Sequence, residues 1–138
     1  MHWCGLVVMV LLGITDLTGA SIAVAHESVP VDQLTREFLR NALLGRSQRW
    51  QTGVPVVLVL SRADADAALV AELSGRELGR LLRGWKRLTF SGGGAAPMVM
   101  DGHREVLERL VKTRGGVAVL ETAEALTLPE GLIQHVLP

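Results

Sequence analysis

The seven residues Val54 to Leu60, Val-Pro-Val-Val-Leu-Val-Leu, carry no polar side chain and are rich in β-branched residues. A strand with one wet face alternates apolar and polar residues, so a strand without alternation has to be covered on both faces. This places it centrally in an α/β sheet with helices above and below. The preceding residues supply one such helix. Thr35 can cap its first turn, Leu34 and Leu39 are placed as a hydrophobic staple, and Phe38 with Ala42 and Leu39 with Leu43 are i, i+4 apolar pairs of one face. Gly45 stops this helix. Trp50 follows, and Gly53-x-Pro55 turns the chain into the strand. Arg36, Arg40 and Arg46 fall largely on the other side of the helix and read as a solvated face.

The remainder keeps alternating. Asp64 or Asp66 is expected to cap a second helix running through Leu73, and Ser74-Gly75-Arg76-Glu77 reads as a capping box for a third. In that third helix Leu78, Leu81, Leu82 and Trp85 recur at amphipathic spacing, which puts Trp85 in the core. Ser91 to Pro97 is a loop by composition. A helix from Asp101 should bury Val106, Leu107, Leu110 and Val111 and end at Arg114-Gly115-Gly116. Val117 to Leu120 is the next strand, Thr122 to Leu126 a short helix, Pro129-Glu130-Gly131 a turn, and Leu132 to Leu137 a last strand. The expected fold class is α/β: a single three-layer domain, one mixed or mostly parallel sheet with helices on both faces.

Several of these segments, taken in order, resemble a known family. A helix ending in Leu43-Leu44-Gly45-Arg46, then Trp50, then Gly53-x-Pro55-Val56, and later the strand Gly115-Gly116-Val117-Ala118-Val119-Leu120-Glu121 is similar to the pattern of the phosphate-type periplasmic binding proteins of ABC transporters. Ile22-Ala23-Val24-Ala25, followed by His26-Glu27-Ser28-Val29-Pro30, matches that family's first strand and its loop. The resemblance covers residues 21–138 and implies a periplasmic-binding-protein-like domain corresponding to one lobe of a type 2 binding protein. It implies a small phosphate-like oxyanion as ligand, bound without being transformed, and an ABC transporter or other envelope protein as partner. It also implies that Trp50 packs the chain leaving the first helix onto the sheet edge rather than contacting ligand.

Bulk properties agree with one exported domain. A chain of 138 residues is one domain by length, about half of a two-lobed binding protein. Trp3 to Ile14 is almost wholly apolar, and Thr15-Asp16 ends the run short of the ~20 residues a membrane span needs. It reads as an export signal, although its first residues contain neither Lys nor Arg. Cleavage after Ala20 is preferred to cleavage after Ala25, which would delete the expected first strand. Residues 1–20 are then the signal peptide and 21–138 the periplasmic or secreted protein. Cys4, the only cysteine, lies in the segment expected to be removed, so the mature chain has no disulfide and no cysteine-based metal site. The chain has 14 basic and 14 acidic residues, and loss of Asp16 leaves 14 − 13, or +1, which calls for no nucleic acid.

In open α/β sheets, ligands collect beyond the carboxyl ends of the strands, where helix N-termini present unpaired N–H groups. That rule selects His26-Glu27-Ser28, Ser61-Arg62, Ser91 to Gly94, and Glu121-Thr122. The candidate oxyanion ligands are Ser28, Ser61, Arg62, Ser91, Gly92, Gly93 and Gly94, as hydroxyl, cationic and backbone N–H donors. The related proteins place Ser-Gly-Thr or Ser-x-x-Arg after the Val54 to Leu60 strand, and a glycine-rich loop where Ser91 to Gly94 lies. Here the first of these reads Ser61-Arg62-Ala63-Asp64-Ala65-Asp66. Its two carboxylates suit a helix N-terminus but occupy the place an anion would need. His26, His103 and His135 have no mutual ligand spacing, no Gly-x-Ser-x-Gly elbow occurs, and Glu105 with Glu108 and Glu121 with Glu124 lie beside basic residues. No catalytic set, metal site or cofactor is therefore expected. Two readings stay open: a solute-binding-like protein related to phosphate transporter components, and a ligand-free interaction domain that docks a partner through the basic face around Arg80, Arg83 and Arg87.

Overall fold

The computed structural model describes residues 20–122 and 127–137, so the expected signal segment and most of the short helix expected at Thr122 to Leu126 lie outside the described residues; Thr122 itself closes a strand. The elements are β1 (Ala20–His26), a 3-10 turn (Val31–Gln33), α1 (Arg36–Leu43), β2 (Val57–Ser61), α2 (Asp64–Ser74), α3 (Leu78–Phe90), β3 (Met98–Met100), α4 (His103–Val111), β4 (Gly116–Thr122) and β5 (Leu132–Val136). They form one mixed sheet in the order β3-β2-β4-β1-β5. β2 runs parallel to β3 and β4, and β1 runs antiparallel to both of its neighbours, β4 and β5.

The uninterrupted apolar runs do what their composition requires. Along β4, Val117 and Val119 face the cluster under α1, α2 and α3, while Ala118 and Leu120 face the cluster under α4. β1 alternates in the same way, with Ala23 and Ala25 on one side and Ile22 and Val24 on the other. The molecule is thus three layers, with three helices on one face and α4 on the other, as the fold class predicts. No helix among the described residues is long and apolar enough to cross a membrane.

Helix ends explain several boundaries. Thr35 Oγ1 accepts from Phe38 N at 3.1 Å, and Leu34 and Leu39 are both buried, so the cap and staple form as expected. The capping box at Ser74 does not form: Ser74 is the last residue of α2, its hydroxyl donates to Val70 O at 2.7 Å, and α3 begins behind Glu77 without a side-chain cap. β2 starts at Val57 rather than Val54, because Trp50 N bonds Val54 O in a turn and Pro55 has no N–H to give to a ladder. Val111, expected on the buried stripe of α4, is 38% exposed. The edge strand β3, three half-buried residues after a glycine loop, has no counterpart in the sequence reading.

Trp50 is 2% exposed, stacks on Phe38 with ring centroids 4.8 Å apart, and donates from Nε1 to Gly115 O at 2.9 Å. Trp85 donates likewise to Leu43 O at 2.7 Å. Each indole is buried with its one polar atom satisfied.

Candidate functional site

The sheet has two edges of opposite character, and the expected ligand residues are divided between them. Because β1 is antiparallel, its carboxyl end lies beside the amino end of β4. Ser28 therefore sits at the amino edge, where its hydroxyl accepts from Gly115 N at 2.9 Å and lies 2.7 Å from His26 Nδ1. Ser91, Gly92, Gly93 and Gly94 precede β3 and are also at the amino edge; Gly93 O accepts from Gln48 Nε2 at 2.8 Å, next to the strand entry at Val56. The direction of β1 cannot be read from its composition and β3 has no counterpart in the sequence reading, and this is why four segments expected together are not. Ser61 and Arg62 alone among the candidates stand at the carboxyl ends of β2, β3 and β4.

That carboxyl edge is organised around Asp66. α2 begins at Asp64, directly after β2, so its third residue points back over the sheet. Asp66 is 0% exposed and caps nothing; its Oδ1 accepts from Glu121 N of β4 at 2.8 Å and lies 3.0 Å from His103 Nε2 at the start of α4. A carboxylate can only accept, so this contact is a hydrogen bond in the tautomer of His103 that carries its proton on Nε2. Oδ2 lies 2.8 Å from the same nitrogen without hydrogen-bonding geometry, and has no hydrogen bond. A single N–H faces two oxygens and serves one. Ser21 Oγ donates to Glu121 Oε2 at 3.0 Å, fixing the next side chain along β4.

Ser61 is fully buried, and its hydroxyl accepts from Ala63 N at 3.2 Å, shaping the step from β2 into α2. Arg62 leans outward and pairs with Asp101, Nε to Oδ1 at 3.2 Å, with side chains 60% and 82% exposed. The edge thus offers one exposed guanidinium over a buried carboxylate that is already held. Among the described residues no three His, Cys, Asp or Glu side chains come together as a metal site. Asp66 and His103 were the residues that sequence reasoning missed as a pair. The sign open to sequence reading was only that each stands in the first turn of an expected helix.

No family model and no curated protein matches the chain in sequence. Among solved structures it is similar to a phosphate ABC transporter substrate-binding protein from Clostridium perfringens, solved with bound phosphate, at 16% identity and a TM-score of 0.55 over 75% of this chain and 40% of that one. It is similar also to an ABC-type phosphate transport receptor from Vibrio cholerae, at 14% identity and a TM-score of 0.57 over 85% of this chain and 45% of that one. The chain spans less than half the length of either. At these identities the likeness concerns fold: the architecture is that of one lobe of a periplasmic binding protein.

Proposed function

We propose that the chain is a non-catalytic, extracytoplasmic solute-binding-like protein of the phosphate ABC transporter type, in which the Asp66 carboxylate stands where a bound oxyanion would sit, so that the protein works by docking an envelope partner. The buried Asp66 carries this reading. Its Oδ1 takes the Glu121 N–H at the carboxyl end of β4, the end of the sheet beyond which open α/β folds hold their ligands. A second anion beside it would meet like charge at short range. Phosphate binding by the chain is then millimolar or weaker, worth roughly 4 kcal/mol.

A signal over residues 1–20 and a mature domain over 21–138 belong to the same reading. β1 lies between β4 and β5, so cleavage after Ala25 would remove most of the strand that joins them, whereas cleavage after Ala20 retains Ser21 and its bond to Glu121.

The second reading, a phosphate carrier, is favoured by Arg62, whose side chain is 60% exposed at the same edge. Calorimetric titration with phosphate separates the two. Wild type should bind no better than about millimolar, and Asp66→Ser, checked for folding by circular dichroism, should bind at least about tenfold tighter as the like charge is removed. Micromolar binding by wild type that is lost in Arg62→Ala would establish the carrier reading instead.

A further inference from the structure

We propose that the outer face of α3 docks the chain on an anionic lipid bilayer. This names the partner in the docking part of the reading above and rests on that part alone; it involves no residue of the Asp66 edge. The face follows from the helix's own spacing. Leu81 and Trp85 are buried in the core, with Leu78 and Leu88 packed against it, which turns Arg80, Arg83, Arg87 and Phe90 outward at i, i+3, i+7, i+10 as one straight stripe. Arg76, in the turn before the helix, extends the stripe, and Lys86 flanks it.

Five cations within residues 76–87 stand against Glu77 alone, although the whole chain balances at 14 and 14, so the rest of it carries 14 − 5, or 9, basic and 14 − 1, or 13, acidic residues. None of the five has an ion-pair partner among the described residues, whereas Arg36, Arg62 and Arg104 each pair with a carboxylate. The cations border two adjoining hollows. One, of about 440 Å³, is lined by Arg76, Arg80, Arg83, Gly84 and Arg87. The other, of about 480 Å³, is lined by Arg83, Lys86, Arg87 and Phe90. Phe90 is 95% exposed at the end of the stripe.

These features favour a lipid surface over an acidic protein. Neither hollow is lined by a neutral hydrogen-bonding side chain that would fix one ligand geometry, which a discrete site needs. A row of guanidiniums instead meets phosphodiesters wherever they lie, bidentately where geometry allows. Phe90 would need a fitted pocket on a protein partner, placed among its carboxylates, whereas the headgroup and acyl boundary of a bilayer accepts an aromatic ring in any orientation. Each cation brought to an anionic surface is worth about a fivefold gain in partitioning, so a stripe of five supports reversible binding without any inserted helix.

The test is sedimentation of the whole chain with vesicles of phosphatidylcholine alone and of phosphatidylcholine with phosphatidylglycerol, so that any apolar contribution from residues 1–19 is common to both. The expected result is binding that requires phosphatidylglycerol, falls as salt shortens the Debye length, drops roughly twenty-five-fold in Arg80→Gln/Arg83→Gln, and weakens in Phe90→Ser. These side chains are exposed, so each variant should keep the wild-type circular dichroism and melting temperature. Equal binding, or none, to the two vesicle types overturns the proposal, as does phosphatidylglycerol binding that the double variant leaves unchanged. A glutamate-rich peptide that binds the stripe while vesicles do not would assign it to an acidic protein. Failure here leaves the phosphate titration and its conclusion untouched.

Discussion

The two ends of β4 solve the same problem differently. At its amino end, Gly115 is a junction with every polar group matched: its N–H goes to Ser28 Oγ, and its carbonyl takes both Trp50 Nε1 and Val57 N. The positive φ of 76° and the Pro55 carbonyl lying where a Cβ would go require glycine there. At its carboxyl end, Glu121 N meets a buried charge, and one oxygen of that charge has no hydrogen bond. That oxygen still lies 2.8 Å from His103 Nε2, so it keeps an electrostatic contact without a directed bond. Two buried polar junctions on one strand therefore differ in completeness, and the incomplete one is at the edge where open α/β sheets hold their ligands. The amino end reads as construction. The carboxyl end is less completely bonded.

Three substitutions sharpen or break that contrast. Trp50→Ala should have the largest effect, about 3 kcal/mol or more by urea denaturation, since it opens a cavity beside Phe38 and leaves the Gly115 carbonyl one donor short. Asp66→Ala should cost less, about 1–2 kcal/mol, because the lost bonds to Glu121 N and His103 Nε2 are partly offset by removing the oxygen without a hydrogen bond. If Asp66→Ala destabilised as much as Trp50→Ala, the carboxyl end would be as structural as the amino end and the contrast would be gone. Arg62→Ala should shift the unfolding midpoint least, by about 0.5 kcal/mol or less, as expected for an exposed pair with Asp101. A larger loss would mean that Arg62 also anchors the edge.

Local rules carried far in this sequence. Thr35, Gly45, Trp50 and the apolar runs of β2 and β4 each name their own role, because capping, chain reversal and two-sided burial depend on a few neighbouring residues. Glu105 and Glu108 likewise read as solvent-side charge, and both lie within ion-pair distance of Arg104. What did not show was anything set by distant partners. β3 is three residues long and owes its pairing to β2 rather than to its own composition. The direction of β1, and with it the location of Ser28, is fixed by β4 and β5. Asp66 has the identity of a capping residue, and only the arrival of β4, 55 residues later, turns it inward. His103 read as a hydrogen-bonded histidine without a named partner, and the partner is that same carboxylate.

The place of β1 has a consequence for how this molecule comes into being. Both strands that flank it lie far along the chain from it, and Ser21 finds Glu121 across 100 residues. Pairings of such high contact order pay for closing a long loop before they are rewarded, and they form slowly. Until residues 116–136 have left the ribosome, β1 has no neighbour on either side, and the half of the sheet that it organises cannot assemble.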